Sequence, residues 1–379
     1  MSFERVTIGD ATLYLGDCRE VMPSLDLVSA IVTDPPYGLE FMGKEWDKLG
    51  ITKASPVPKP GNRGGFADGN KPSFERVKKH LPAMQEWHHS WAVHALQALR
   101  PAGYMLVMGG TRTYHRLACA VEDAGFEIRD CLMWIYGSGF PKAKSCLKPA
   151  YEPILLCRKP GPRVEELGID ECRVPLNGDY KCGANGRPSQ TGLGDFYDPE
   201  KANQHSDIGR WPANIVHDGS EEVVDAFATF GERNCHDKPR PDIGTRPGGF
   251  GNIGTASGDG KPAGRIIGDT GTAARFFYTA KASKSERGDG NTHPTVKPLA
   301  LMKWLVQLVC PLGETVLDPF MGSGTTGVAC LQTGRKFIGI EIDRGYFDIA
   351  CERIRHANGE TGLFAPVATA ADLFAESRP

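Results

Sequence analysis

The run Asp318-Pro319-Phe320-Met321-Gly322-Ser323-Gly324-Thr325-Thr326-Gly327 constrains this chain more than any other feature. It follows a short run, Glu314–Leu317, that reads as a strand, and it opens a helix expected over Thr325–Thr333. A second strand is expected at Lys336–Ile340. A glycine-rich turn between strand and helix points to an α/β sheet that holds a ligand at the carboxyl ends of its strands. Glycines let the backbone approach that ligand closely, and the helix N-terminus favours an anionic group. Gly322, Gly324 and Gly327 fit the G-x-G-x-x-G pattern, and Glu341 ends the next strand 19 residues after Gly322, where a carboxylate can accept ribose hydroxyls. No lysine stands immediately before Thr325, which excludes the phosphate loop of an NTPase. Alone, the run fits NAD binding equally well, or a tight turn with no ligand.

A second strand end carries different chemistry. The apolar run Leu27–Thr33 stops at Asp34-Pro35-Pro36-Tyr37. The lone pair of an aromatic amine is delocalised into its ring, so its nitrogen is a poor nucleophile. A carboxylate accepting one N–H and a backbone carbonyl accepting the other would hold the amine and relieve that delocalisation. Two prolines stiffen the turn and leave carbonyls without competing N–H groups. A neighbouring aromatic ring can stack on a base. Asp34, the Pro35 carbonyl and Tyr37 supply these parts within four residues; the alternative is an ordinary stiff turn. A third motif, Thr292-His293-Pro294-Thr295-Val296-Lys297-Pro298, precedes a helix expected at Leu299–Cys310, where Thr295 and Lys297 can bind a carboxylate.

Between these motifs strands and helices alternate. A strand is expected at Thr12–Leu15, a long loop at 43–80, a helix at Met84–Leu99 broken by Arg100-Pro101-Ala102-Gly103, and a strand at Tyr104–Met108. A helix at Thr113–Asp123 and strands at Glu127–Tyr136 and Glu152–Arg158 follow, the last two fitting an antiparallel edge of the sheet. From 160 to 275 glycine, asparagine, aspartate and proline dominate, which reads as a separate lobe outside the main sheet, with short strands near Trp211–His217. Alternation returns from 293, a helix is expected at Gly345–Arg355, and 359–379 reads as a tail.

The chain carries a net charge of −2, so a strongly basic nucleic-acid binder is not indicated. Charge can be local: Lys142, Lys144, Lys148, Arg158, Lys159 and Arg163 face only Glu152 in their stretch and form a candidate phosphate-facing stripe. The 11 cysteines show no close pairing, which reads as reduced, mostly buried thiols, and no metal is expected. No run approaches a membrane span and the first residues hold no signal-peptide core, so a cytoplasmic protein is expected, with no membrane partner.

Together, in this order, the three motifs resemble the β class of DNA amino-methyltransferases, in which a DPPY-type motif comes first, a target-recognition region follows, and HPTxKP and DPFxGSGTT come last. The resemblance is close over 12–40 and 290–355. It implies a Rossmann-like class I methyltransferase sheet in circularly permuted order, with S-adenosylmethionine as cofactor. The core would divide into a catalytic half at 1–159, a target-recognition region at 160–275 and a cofactor-binding half at 276–358. Catalysis would fall to Asp34, Pro35, Pro36 and Tyr37. Asp17, in Gly16-Asp17-Cys18, would accept from the adenine amino group of the cofactor and Glu341 from its ribose. Phe320 would line its pocket, Asp318 and Gly322 would approach its methionine part, and Thr295 and Lys297 its carboxylate. Pro319, Ser323, Gly324 and Thr325 complete that loop. The strand ending at Glu341 would lie beside the one containing Tyr14.

The expected activity is therefore site-specific methylation of the N6 amino group of adenine in double-stranded DNA by base flipping. Cytosine N4 is the nearest alternative, since both bases carry an amine beside a ring nitrogen. A glutamine methyltransferase would resemble Asn-Pro-Pro-Tyr with its cofactor motif first, and a non-catalytic DNA-binding module has no need of Asp34 and Tyr37. Arg187, Arg210, Arg240 and Arg246 are candidates for reading guanine edges or binding phosphate. Relatives of this class are often homodimers, and some serve beside a cognate restriction endonuclease.

Overall fold

The computed structural model describes residues 3–37, 74–139, 147–162, 165–175, 181–182, 209–234, 266–267, 270–280 and 296–359. Its elements are β1 (Glu4–Ile8), β2 (Ala11–Leu15), α1 (Cys18–Val21), β3 (Val28–Thr33), α2 (Phe74–Ala98), β4 (Leu99–Met108), α3 (Tyr114–Asp123), β5 (Glu127–Ile135) and β6 (Tyr151–Arg158). Then come β7 (Ile215–His217), α4 (Glu221–Ala228), β8 (Tyr278–Thr279), α5 (Leu299–Val309), β9 (Thr315–Asp318), α6 (Thr325–Gln332), β10 (Lys336–Glu341) and α7 (Arg344–Ala357), beside a few two-residue strands.

Ten strands form one sheet in the order β1-β2-β10-β9-β3-β4-β6-β5-β7-β8. The cofactor-side strand β9 pairs in parallel with β10 and with β3, so the two motif-bearing strands from opposite ends of the sequence lie side by side. β10 pairs in parallel with β2, Ile340 opposite Tyr14 and Glu341 opposite Leu15, which is how the permuted order closes. The strands show the period of two that a sheet covered on both faces requires. In β3, Ala30 and Val32 face the cluster made by α5, α6 and α7 (Leu301, Trp304, Leu305, Val328, Phe347, Ile354). Ile31 faces Trp91, Ala92, Ala95, Leu117 and Val121 of α2 and α3, and Val28, on the far side of the register shift before Ala30, lies on that side too. This three-layer arrangement is the class I methyltransferase architecture expected from the motifs.

Several expectations are corrected. Residues 74–80, read as the end of a loop, already belong to α2, because the stretch before Pro82 is rich in good helix formers (Glu75, Arg76, Lys78, Lys79). The segment 43–73 lies outside the described residues. Arg100–Gly103 does not separate helix from strand: α2 passes directly into β4, and these residues form a bulge, since Val28 pairs with Leu99 but Ala30 pairs with Tyr104. Ala102 takes φ 66° there. A Cβ on Gly103 would stand 2.9 Å from the Ser29 carbonyl oxygen, so the return to register needs glycine. β6 is antiparallel but interior, flanked by β4 and β5, because the sheet continues through β5 to β7 and β8. Ile215–His217 is therefore a strand of the main sheet and not of a separate lobe.

The three described residues of the basic stripe are engaged within the chain. Arg158 is buried and bonded to Glu127 (2.6 Å), Lys159 donates to the Leu99 carbonyl (2.6 Å), and Lys148 pairs with Glu222 (3.1 Å). Lys142, Lys144 and Arg163 lie outside the described residues. Six cysteines (18, 157, 172, 310, 330 and 351) are buried free thiols, while Cys119 is exposed. Among the described residues no helix is long and apolar enough to cross a membrane.

Candidate active site at the carboxyl edge of the sheet

β3 delivers two residues in succession to the edge where the parallel strands end. Thr33, fully buried, donates its hydroxyl to Asp318 Oδ1 (2.7 Å) at the end of the neighbouring β9. Asp34 follows, and its alternation to the other side of the chain frees its carboxylate from that buried contact. Asp34 Oδ1 accepts from the Tyr37 hydroxyl (2.7 Å) and Oδ2 from Lys297 Nζ (2.6 Å). Lys297 Nζ also lies 3.1 Å from Glu152 Oε2, at the start of β6. The Tyr37 ring is backed by Gly110, where a Cβ would come within 3.2 Å of it, and its carbonyl accepts from Thr113 Oγ1 (3.3 Å). Pro35 is buried and Pro36 half-buried between them. Burial, then the Asp34 and Glu152 charges, hold the Tyr37 hydroxyl well above the ordinary range, so it acts as a neutral donor. Burial opposes the Lys297 charge, but the two carboxylates outweigh it and keep its pKa above the ordinary lysine value.

The cofactor-side residues are arranged differently. Asp318 is buried and satisfied within the chain: Thr33 on Oδ1, Thr326 Oγ1 on Oδ2 (2.6 Å) and the Phe320 N–H on Oδ1 (3.1 Å). Burial pushes it up to about 6 against these stabilising bonds. The loop then turns through Gly322 (φ 53°) and Gly324 (φ 80°), the latter capping α6 in the left-handed region where an L side chain is strained. The Ser323 and Thr325 hydroxyls both accept from Arg353 of α7 (3.0 Å each), which ties the glycine loop to that helix. Pro319 is buried, and Gly322 is half-buried. The Gly322 N–H donates to Glu341 Oε2 (2.9 Å), and the Asp343 N–H to Glu341 Oε1 (2.8 Å). Burial pushes Glu341 up to about 7.

Asp17 caps α1, accepting from the Arg19 N–H (2.8 Å) and pairing with its guanidinium, which lowers its pKa. The neighbouring Gly16 N–H bonds the Glu341 carbonyl (2.8 Å), so the two carboxylates share one strand end.

Phe320 leads to residues the sequence reading missed. Its ring packs 5.3 Å from Trp91 and 5.6 Å from Trp87 of α2. His88 accepts from Trp91 Nε1 (3.1 Å), and burial pushes it down to about 3, so it is neutral. Its Nε2 has no partner among the described residues. Aromatics at 87, 88 and 91 share a helical face, a signal legible once α2 is known to pack on the glycine loop. Glu152 is the other residue missed.

Of the residues expected at the site, Thr295 lies outside the described residues. Lys297 sits on the Asp34 carboxylate. Of the arginines proposed to read bases, Arg187, Arg240 and Arg246 lie outside the described residues, and Arg210 bonds the Pro175 and Arg275 carbonyls and lies over Phe276. Two acidic groups at adjoining strand ends, an aromatic platform and a glycine turn that admits close backbone approach form a donor set suited to a nucleoside-bearing cofactor.

The chain is 25% identical over 358 residues to the type II methyltransferase M.HindIII of Haemophilus influenzae, spanning 86% of this chain and 89% of that protein. Over 88 residues it is 36% identical to the type II methyltransferase M2.DpnII of Streptococcus pneumoniae, spanning 23% and 33% of the two chains. A solved complex of M1.HpyAVI with S-adenosylmethionine superposes with TM-score 0.43 and 19% identity, over 91% of this chain and 98% of the other. The cytosine-N4-specific PvuII DNA methyltransferase gives TM-score 0.46 and 16% identity over 94% and 95%. The model of the N6_N4_Mtase family, described as DNA methylase, matches residues 28–352, a span that takes in both Asp34 and Asp318; the chain belongs to this family of S-adenosylmethionine-dependent DNA methyltransferases.

Proposed function

We propose that this methyltransferase acts on the N6 amino group of adenine in double-stranded DNA, through Asp34-Pro35-Pro36-Tyr37. The observation that carries the reading is the placement of Asp34: one residue beyond the Thr33–Asp318 hydrogen bond (2.7 Å), it is fixed beside the glycine loop that would hold the cofactor. S-adenosylmethionine supplies, when bound, a methyl group on a positively charged sulfur, so positioning carries most of the remaining work. Glu341 would accept the ribose hydroxyls with the lone pairs its two amide contacts leave free, Asp17 the adenine amino group, and Phe320 one face of the pocket. Thr295 and Lys297 remain candidates for the methionine carboxylate. Gly322, Ser323, Gly324 and Thr325 would contribute backbone N–H groups, and the Ser323 and Thr325 hydroxyls, which accept from Arg353, keep their own O–H to donate.

The target base, flipped out of the duplex, would stack on Tyr37. Asp34 would accept one N–H of its amine and the Pro35 carbonyl the other, turning the nitrogen lone pair toward the methyl group. An aspartate in the first position of the motif leans toward adenine within the family that the sequence resembles. The region 160–275 would recognise the target sequence. The type II designation of M.HindIII favours a cognate restriction endonuclease as functional partner, and the resemblance favours a homodimer.

The test is direct. Duplex DNA methylated by the protein is digested to nucleosides and weighed. N6-methyl-2′-deoxyadenosine is expected; N4-methyl-2′-deoxycytidine would overturn the base assignment, and no methylated nucleoside would overturn the reading itself.

A further inference from the structure

Both oxygens of the Asp34 carboxylate already have a donor, Tyr37 on one and Lys297 on the other. Each of these donors has one and the same second acceptor within reach: Glu152 Oε2 lies 3.1 Å from Lys297 Nζ and 3.4 Å from the Tyr37 hydroxyl. Strand register fixes Glu152 in this position, near the start of β6 and directly opposite Trp134 of β5. Its surroundings are aromatic: the Trp134 and Tyr136 rings lie 5.1 Å apart. Tyr136 is pushed up to about 12 by burial and by the Glu152 charge.

A carboxylate that accepts from an ammonium and a phenol at short range is a weaker acceptor for a third donor. Each oxygen keeps a further lone pair, as those of Glu341 do, so the target amine can be accepted, but Asp34 holds it more strongly once its present donors loosen. We propose that Glu152 is a positioning residue for methyl transfer: it takes over Lys297 and Tyr37 when the target amine reaches Asp34. This rests on the amino-methyltransferase reading above and deepens it. Glu152 need not touch the base. Its charge lets the buried ammonium shift between two carboxylates without being left unpaired, a state that would be strongly unfavourable.

The experiment measures single-turnover methyl transfer at saturating S-adenosylmethionine and duplex DNA, together with cofactor affinity by calorimetry and thermal unfolding. Glu152→Gln keeps the shape and removes the charge. The transfer rate is expected to fall about ten- to a hundredfold, with cofactor affinity within about twofold of the wild type. Glu152→Asp should recover part of the rate. The decisive readout is the double variant Glu152→Gln/Lys297→Met. If the loss arises from an ammonium pinned on Asp34, removing that ammonium makes the double variant faster than Glu152→Gln alone. A merely structural glutamate would give a double variant at least as slow as the single one. Should Glu152→Gln fail to fold, Glu152→Asp with and without Lys297→Met gives the same comparison. A Glu152→Gln enzyme at wild-type rate, or a double variant no faster than the single, overturns the proposal. Asp34→Ala separates the two failures: full activity in that variant sinks the amino-methyltransferase reading, whereas an inactive Asp34→Ala beside a fully active Glu152→Gln sinks only the role of Glu152.

Discussion

Asp34 and Asp318 end neighbouring parallel strands, and Thr33 stands between them as the immediate neighbour of one and a hydrogen-bond donor to the other. Their environments differ in kind. Asp318 is surrounded by neutral donors, two hydroxyls and an amide, and no cation pairs with it in the described contacts. Asp34 is held by an ammonium and a phenol that both have a second place to go. A carboxylate fixed by short, buried, non-exchangeable donors acts as a latch between strands. One whose donors can be shared is available to a substrate. The same side chain thus latches neighbouring strands at the end of β9 and, in the proposed function, does chemical work at the end of β3.

Removing each carboxylate in turn is the most severe way to break this comparison. Asp34→Ala is expected to lower the methyl-transfer rate by about 10³-fold, the scale seen when a group aimed at the reacting atoms is lost. Cofactor affinity should stay within a few-fold, because the glycine loop is bonded to Glu341 and Arg353 and not to Asp34. Calorimetry with S-adenosylmethionine beside a single-turnover assay reads both quantities. A variant that loses cofactor binding along with its rate would make Asp34 as structural as Asp318.

Asp318→Ala should do the reverse. It strands Thr33 Oγ1, Thr326 Oγ1 and the Phe320 N–H in a buried site, and a buried donor without a partner is unfavourable by about 1–3 kcal/mol. A fall of about 3 kcal/mol or more in unfolding free energy is expected, read by chemical denaturation, with cofactor binding weakened as the loop loosens. Asp318→Asn, which keeps one acceptor, should lose less. An Asp318→Ala protein as stable as the wild type would remove the latch from the comparison.

The two aspartates differ as well in how far the sequence disclosed them. Both motifs were legible because each packs its chemistry into a few consecutive residues at a strand end, where prolines or glycines mark the stop. The permuted pairing of β10 with β2 was legible for the same reason, through motif order. Glu152 was visible only as the lone acid in a basic stretch, since its meaning depends on β6 running antiparallel between β4 and β5. Among the described residues of the stripe, Arg158 turns inward to Glu127. Trp87, His88 and Trp91 gained their role from the packing of α2 on Phe320, a contact between residues more than 200 positions apart that no local pattern encodes.

Acid titration sharpens the comparison from the cofactor side. Glu341 is raised from 4.5 to about 7 and Asp318 from 3.8 to about 6, both first by burial. For a carboxyl raised in the folded state, the folded protein binds the proton more tightly than the unfolded chain. The stabilisation is complete below the unfolded value and is lost as pH rises through the folded one. These two groups should therefore make the protein less stable at pH 7.5 than at pH 5, other groups apart. Glu341→Gln should flatten that slope between about pH 4.5 and 7, by an amount on the order of 1–2 kcal/mol. Thermal unfolding across this range checks it, and an unchanged slope would mean that Glu341 is better solvated than its contacts imply.

The mildest perturbation tests the residue that joins the two regions. Thr33→Val removes one hydroxyl, keeps the β-branched shape that β3 favours, and leaves Asp318 with Thr326 and the Phe320 N–H. A loss of about 1 kcal/mol is expected at neutral pH, the usual net worth of one hydrogen bond. The pH dependence carries more information than the size. The Thr33 bond favours the charged form of Asp318, so its removal raises the folded pKa further above about 6. The destabilisation by Thr33→Val should then grow between pH 5 and pH 7.5, since more of the ionised form must be held without its donor. Because Asp34 follows Thr33 directly in the chain, the transfer rate should fall as well, by less than about tenfold, if the bond sets the position of the Asp34 carboxylate proposed to hold the amine. A variant with a pH-independent loss of stability would show that Asp318 does not titrate across the range. One with an unaltered rate would show that the prolines after Asp34 hold the turn in place without the latch.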